Sequence, residues 1–384
     1  MKAARNGAGV EFRALHTVIS YRCALIIAIL LLLAIGSHAE SGGKQKEALI
    51  YLGPSAFSRD GKYVAVGLRY GTKGESVKPD AIEKVFLWDV ESGKFLRTYS
   101  HVKRGAILVD FSFDSKRLFA LDLGGVFHIW ELEKGRKVSS FPTQDVVSCH
   151  AIDHKDNVLL TVGSDEKEEW SKIKFWDINK GKLIKSYRLL VRPSRIFLSP
   201  DGKTLIETTA NYGPDTLTLQ VWDLVKEKVI VKVKSTEPHS FPPMIISPDN
   251  KIVISQRYEK KDCYLTLWEL ATGKEIRKIA FPEGHLQKLA FTPDGKKALS
   301  GTASGILQRW DLETGKPEWT VKTRTTRKFD EYVFSFAFSQ NGKRAFVANR
   351  HSYAASNAIE LQIWDSDKPK FLRNLTFPEP DFNP

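Results

Sequence analysis

Catalytic signatures are missing from this sequence. It has no His-Glu-x-x-His, no Gly-x-Ser-x-Gly, no Cys-x-x-Cys and no phosphate-cradling glycine loop, so the residue spacings behind metalloprotease, serine-hydrolase, dithiol and nucleotide chemistry are not there. Cysteine is scarce: of three in 384 residues, only Cys149 and Cys263 lie beyond the amino-terminal segment. The apolar run at the amino terminus, Cys23 to Ile35, has thirteen residues. As a helix it spans ~20 Å, short of the ~30 Å hydrocarbon core, which excludes a comfortable transmembrane span. Acidic excess is lacking as well. The chain carries +13, and still +10 without residues 1–39, a field that steers anionic surfaces or partners toward it without giving specificity.

The short apolar run has a different use. Lys2, Arg5, Arg13 and Arg22 face a single acid, Glu11, ahead of it, and Ser37-His-Ala39 follows with small residues at the two positions that signal peptidase reads. This is the pattern of a secretion signal. We expect residues 1–39 to be removed, with an uncleaved signal anchor as the alternative, and the rest to act in the periplasm or outside the cell. Cys23 follows Ile-Ser-Tyr-Arg and so has no lipobox-like setting. Export disfavours a nucleic-acid partner, and no arginine-rich run or recognition motif argues for one. Residues 40–46 form a spacer.

The rest of the chain is repetitive. Trp88, Trp130, Trp176, Trp222, Trp268, Trp310 and Trp364 are each followed by an acid and, six positions on, by a base: Lys94, Arg136, Lys182, Lys228, Lys274, Lys316 and Lys370. The spacings are 42, 46, 46, 46, 42 and 54 residues, close to the ~40–45 of a four-stranded propeller blade. Within one unit, Leu286 to Ser300 reads as a hairpin about Pro293-Asp-Gly-Lys296, Ile306 to Trp310 as a third strand, and Asp311 to Lys316 as the turn into a fourth. The first turn recurs as Arg59-Asp-Gly-Lys62, Phe113-Asp-Ser-Lys116, Pro200-Asp-Gly-Lys203, Pro248-Asp-Asn-Lys251 and Gln340-Asn-Gly-Lys343, while unit three departs with His154-Lys-Asp-Asn157. In the second turn the fifth residue after Trp is Gly93, Gly135, Gly181, Gly273 or Gly315. Glu227 and Pro369 are exceptions for which a different turn geometry is expected.

Ser-Pro-Asp-Gly-Lys followed by Trp-Asp-x-x-Thr-Gly-Lys resembles the WD40-repeat family, in the form common among bacterial-type repeats, over about residues 47–378. The resemblance implies an all-β fold, a seven-bladed β-propeller of four-stranded antiparallel blades, with residues 379–384 as a tail. The seven Trp are then structural. That family often builds a tetrad of His, Ser or Thr, Asp and Trp in each blade. Only blade six comes near it, with His285, Ser300 and Trp310, and with Ser304 or Gly305 where the Asp would fall, so His285 reads as a hydrogen-bonding strut. Phe371 to Phe377 is expected to complete blade seven, and a pairing role for Glu47 to Leu52 is left open. Cys149 and Cys263 fall in non-adjacent blades, too far apart for one disulfide.

The two ends of such a ring read differently. First and third turns share one end, where bases and acids nearly balance, as turn chemistry and solubility require; a cationic ring for an anionic envelope polymer is the sharper alternative. Second turns and crossovers share the other end, and there the units vary in length: Tyr70 to Glu83, Ser164 to Lys172, Ala210 to Thr216, Arg257 to Cys263, Lys322 to Tyr332 and Arg350 to Ala358. These segments hold Trp170, Tyr212, Arg257, Tyr258, Arg324, Arg327, Tyr332, Arg350, His351 and Tyr353, residue types enriched at binding hot spots. They are the candidate contact residues for a protein or peptide partner.

No cofactor, metal ligand or catalytic residue is assigned. His150 and His154, four apart, sit on a strand and its turn and do not share a helix face. Asp110 stands where other units have Ala56, Ala151, Ala290 and Ala337, so it must find a partner or shift its pKa. With Asp145 and Asp330 at the same mouth of the channel it would support a propeller enzyme, such as a hydrolase or a lactonase-like metal site. The resemblance favours a non-catalytic binding scaffold.

Overall fold

The computed structural model describes residues 48–72, 82–103, 105–143, 146–164, 172–189, 193, 195–199, 201–210, 217–235, 244–259, 262–281, 286–323, 331–351 and 359–376. The signal segment, the spacer and the tail lie outside these. Two compact units divide the chain, Met1–Leu49 with Gly71–Val77, and Ile50–Tyr70 with Lys78–Pro384. Ala48, Leu49, Gly71 and Thr72 of blade one belong to the first, and the other described residues of the blades to the second.

Every element is a strand, and the strands form seven sheets of four, each antiparallel and in chain order. Blade one covers 48–103, blade two 106–142, blade three 146–188, blade four 195–235, blade five 244–280, blade six 286–322 and blade seven 331–374. The chain is a seven-bladed β-propeller. Ala48–Phe57 is the first strand of blade one, and blade seven completes itself with Lys370–Asn374. Of the segment Glu47 to Leu52, Ala48 to Leu52 belongs to that first strand of blade one, and Glu47 lies outside the described residues.

The ring is closed by side chains. Seven apolar clusters lie at the seven junctions between neighbouring blades, because each sheet is apolar on both faces and each buried aliphatic or aromatic side chain contributes about 1.5–3 kcal/mol. The junction of blades seven and one packs Phe57, Val64, Phe86 and Trp88 against Phe346, Leu361, Ile363 and Leu375. Polar contacts join it: Trp88 Nε1 donates to the Thr376 carbonyl at 2.7 Å, Thr376 N–H donates to Gly93 O at 3.2 Å, and the Ser55 and Ser335 hydroxyls meet at 2.6 Å. Radial repetition leaves only short, protected sheet edges.

The first turn has a repeated polar skeleton. Ser58 Oγ donates to Asp60 Oδ1 (2.6 Å), which also accepts from Lys62 N–H, and Tyr63 N–H closes on Ser58 Oγ. The same arrangement occurs at Ser112/Asp114, Ser199/Asp201, Ser247/Asp249, Thr292/Asp294 and Ser339/Asn341. Hydroxyl and amide donors hold the carboxyls of Asp114, Asp249 and Asp294 below the usual range. In the second turn Glu227 takes φ 54°, beside 64–72° at the five glycines. The expectation of a different geometry is thus corrected at Glu227, where the turn imposes its left-handed residue on a glutamate; Pro369, whose ring fixes φ, is not among the left-handed residues.

The tetrad expectation also needs correction. Trp176, Trp222, Trp268 and Trp310 each donate the indole N–H to a side chain on the second strand, Thr161 Oγ1, Glu207 Oε2, Ser255 Oγ and Ser300 Oγ, at 2.9–3.0 Å. All four acceptors hold one register position, opposite the residue two before the Trp. The link therefore recurs through blades three to six, not in blade six alone. In blade six Thr302 Oγ1, rather than Ser304 or Gly305, accepts the turn amide of Ile306, at 3.1 Å. Asp122 Oδ1 does the same for Val126 in blade two at 2.8 Å, and its Oδ2 lies 3.0 Å from buried His128 Nε2. His285 lies outside the described residues.

Candidate functional site

Of the ten candidate contact residues, Trp170, Tyr212, Arg324, Arg327 and Tyr353 lie outside the described residues. The other five are strand residues, not loop residues. Arg257 and Tyr258 belong to Ile252–Glu259, paired with Tyr264 and Cys263 of Asp262–Glu269, so the segment from Arg257 to Cys263 is a ladder joined by residues 260–261. Tyr332 pairs with Arg350, and Glu331 with His351. Pairing register, not composition, carries these strands further than the sequence suggested. Arg257 is half-buried, with Nη1 3.5 Å from Glu275 Oε2 and its guanidinium 5.8 Å from the Trp268 ring centre. Those contacts tie it into blade five.

The described residues bring functional side chains together at the opposite end, where inner strands reach the first turns. Inner strands of neighbouring blades converge, so residues just past them ring the mouth. At the position after the turn hydroxyl, blades five and six carry Pro248 and Pro293. Blades seven, one, two and three carry Gln340, Arg59, Phe113 and His154 instead. The first three touch in sequence around the ring. Arg59 Nε donates to Gln340 Oε1, and the Arg59 guanidinium lies over the Phe113 ring, 3.9 Å from its centre. Phe113 and His154 then share the walls of a recess of about 380 Å³ between blades two and three.

Asp110 is the electrostatic centre of this end. Its Oδ1 accepts from Phe111 N–H at 2.8 Å and its Oδ2 lies 3.1 Å from His154 Nε2. Burial pulls the His154 pKa down, but the charge of Asp110 and its hydrogen bond outweigh this, and the net effect is upward. Burial lowers Arg59, with Asp110 opposing. His150 on the inner strand of blade three is pushed down to about 4 by burial, which Asp110 only partly offsets, so this imidazole is neutral at pH 7. Lys288, on the inner strand of blade six, is lowered by burial against the pull of Asp110. Its side chain keeps water-accessible surface although protein surrounds it, as in a narrow wet channel.

The expected grouping of Asp110 with Asp145 and Asp330 falls on two residues outside the described ones. Asp110 is the second-last residue of its inner strand, Ala106–Phe111, whereas Asp145 and Asp330 immediately precede the inner strands Val146–Asp153 and Glu331–Phe338 and lie outside the described residues. The partner of Asp110 is His154, which the departure of the blade-three turn from Pro-Asp-Gly-Lys marks in the sequence. Among the described residues no three His, Cys, Asp or Glu side chains gather as metal ligands. Cys149 is buried and Cys263 half-buried, in blades three and five.

No protein-family model matches the chain. It is similar to Pre-mRNA-processing factor 17 of Homo sapiens (23% identical over 243 residues, 61% of this chain and 40% of that protein). It is also similar to Serine-threonine kinase receptor-associated protein of Gallus gallus (26% over 250 residues, 64% and 65%) and to WD repeat-containing protein 25 of Mus musculus (24% over 255 residues, 64% and 46%). The match spans less than two thirds of each of these curated relatives. Together with seven four-stranded blades, these relatives support a WD40-type β-propeller.

Proposed function

We propose that this propeller is a non-catalytic scaffold that binds a protein or peptide partner outside the cytoplasm. The observation that carries the reading is the contrast between seven regular sheets and the uneven second connections. Those are residues 123–125, 260–261 and 303–305 in blades two, five and six, but 73–81, 165–171, 211–216 and 352–358 in the others. A closed ring with variation gathered at one end is how repeat proteins present partner-specific contacts. Trp170, Tyr212 and Tyr353 fall in those longer connections. A relative named for association with a receptor and another named for WD repeats fit a binding role.

The test is capture of a partner by the exported protein before and after replacing Tyr258, Arg327 and Tyr353 together by Ala. Loss of capture with an unchanged unfolding midpoint supports this end as the contact surface, and undiminished capture rejects it. Export is tested separately by cell fractionation and by amino-terminal sequencing of the recovered chain, which should begin at Glu40.

A further inference from the structure

We propose that the end of the ring bearing the first turns holds a second docking site, the recess between blades two and three, which takes an acidic peptide segment with an apolar side chain beside its carboxylate. The aromatic wall has no structural task. Phe113 is 56% exposed while Phe111, two residues earlier, is buried in the core, and the turn is held by Ser112, Asp114 and the backbone rather than by the Phe113 ring. Three of the other blades have proline at the same place in the sequence, Pro200, Pro248 and Pro293. An exposed phenylalanine kept there offers contact area to something that arrives.

The ring is also held ready. Arg59 covers one face at 3.9 Å and is itself fixed by Gln340, so the cation–π pair is set before any ligand comes and little side-chain freedom remains to be lost.

The recess beside it favours anions. Arg117 donates one nitrogen to Asn179 Oδ1 at 3.0 Å, leaving donors on a group that has five. Lys155 on the wall makes no ion pair among the described residues. The carboxylate on the wall, Asp114, accepts from Ser112 Oγ and Lys116 N–H and keeps its negative charge. Arg117 and Lys155 outnumber it on that wall, beside the Asn157 and Asn179 amides. Cations over an aromatic surface match a peptide such as Glu-Phe-Glu, carboxylates toward Arg117 and Lys155 and ring against Phe113. This site is independent of the loop end discussed above.

The experiment titrates the whole exported chain with fluorescein-labelled Gly-Glu-Phe-Glu-Gly amide, reading anisotropy, alongside the Gln-Phe-Gln and Glu-Ala-Glu versions. Expected are saturable binding of the first peptide, at least about tenfold weaker binding of the other two, and a loss of at least about tenfold in Phe113→Ala and in Lys155→Glu. The variant lacking Tyr258, Arg327 and Tyr353 should bind it normally, which separates this site from the loop end. No binding by the parent chain, equal binding of the Gln version, or undiminished binding by both Phe113→Ala and Lys155→Glu overturns the proposal. Lys155 is an exposed turn residue, so that variant keeps the test decisive if Phe113→Ala folds poorly.

Discussion

The indole N–H of Trp88 in blade one donates to the carbonyl of Thr376, 2.7 Å away, just past the last strand of blade seven. Two stretches of chain separated by 288 residues are thereby held together. Around the bond the junction is dry: Trp88 and Phe346 are fully buried.

Trp88→Phe should therefore cost about 2–4 kcal/mol, from the lost volume and an unmet buried carbonyl. Urea denaturation gives the number. Val225→Ala, at a side chain 69% exposed, should stay within about 0.5 kcal/mol. Equal midpoints for the two variants would refute the closing role.

Ser300→Ala removes the acceptor of the Trp310 indole, a bond of 2.9 Å between buried groups. Leaving that donor unmet should destabilise the protein by about 1–3 kcal/mol, with a matching change in Trp fluorescence on unfolding. A midpoint equal to that of the parent chain would show that the link carries no weight.

Glu207 is buried, and burial raises its pKa against the opposing effects of the Trp222 hydrogen bond and Lys232. The native state thus keeps a proton that the unfolded chain has already lost. Stability should fall as pH rises from the ordinary glutamate value through the raised one. Glu207→Gln keeps an oxygen acceptor for Trp222 and has no charge to bury. Its melting temperature should match the parent below that window and exceed it above. Parallel curves across the window would contradict the assignment.

The Asp110 and His154 pair predicts a fall of the same sign, beginning near the ordinary histidine value rather than the glutamate one. His154 is raised in the folded chain, with Asp110 outweighing burial, so the stability it adds is fully present below the ordinary histidine value and is lost as pH rises through the folded one. NMR titration should place His154 above 6.5, and Asp110→Asn should lower it. An unshifted histidine in the parent chain, or one indifferent to the substitution, would remove Asp110 from the role of partner.

Blade number and strand order were legible because Trp and the two turns recur with a period set by the blade itself. Of the Trp hooks only the Ser300 and Trp310 pair of blade six was legible. Counting back from Trp crosses the second connection, whose length changes, so Thr161 and Glu207 stand fifteen residues before their Trp and Ser300 ten. Counted from the first turn, all share one register position. Arg257 and Tyr258 read as loop because polar and aromatic residues look alike in a loop and at a strand end; only their pairing with Tyr264 and Cys263 decides it. Asp110 stood out as an acid among alanines. Its partner His154 was marked only by a first turn that departs from the shared sequence, a departure that does not say which side chain the imidazole meets.

Those hooks bear on how the chain avoids folding wrongly. Seven similar repeats can mispair by sliding one residue along a neighbouring strand, an error that turns every side chain to the opposite face. A slipped second strand in blades three to six would carry Thr161, Glu207, Ser255 or Ser300 away from the indole and strand its N–H in an apolar layer. Four of the seven repeats thus carry their own proofreading step, and a mispaired blade is penalised before it can be sealed against the next.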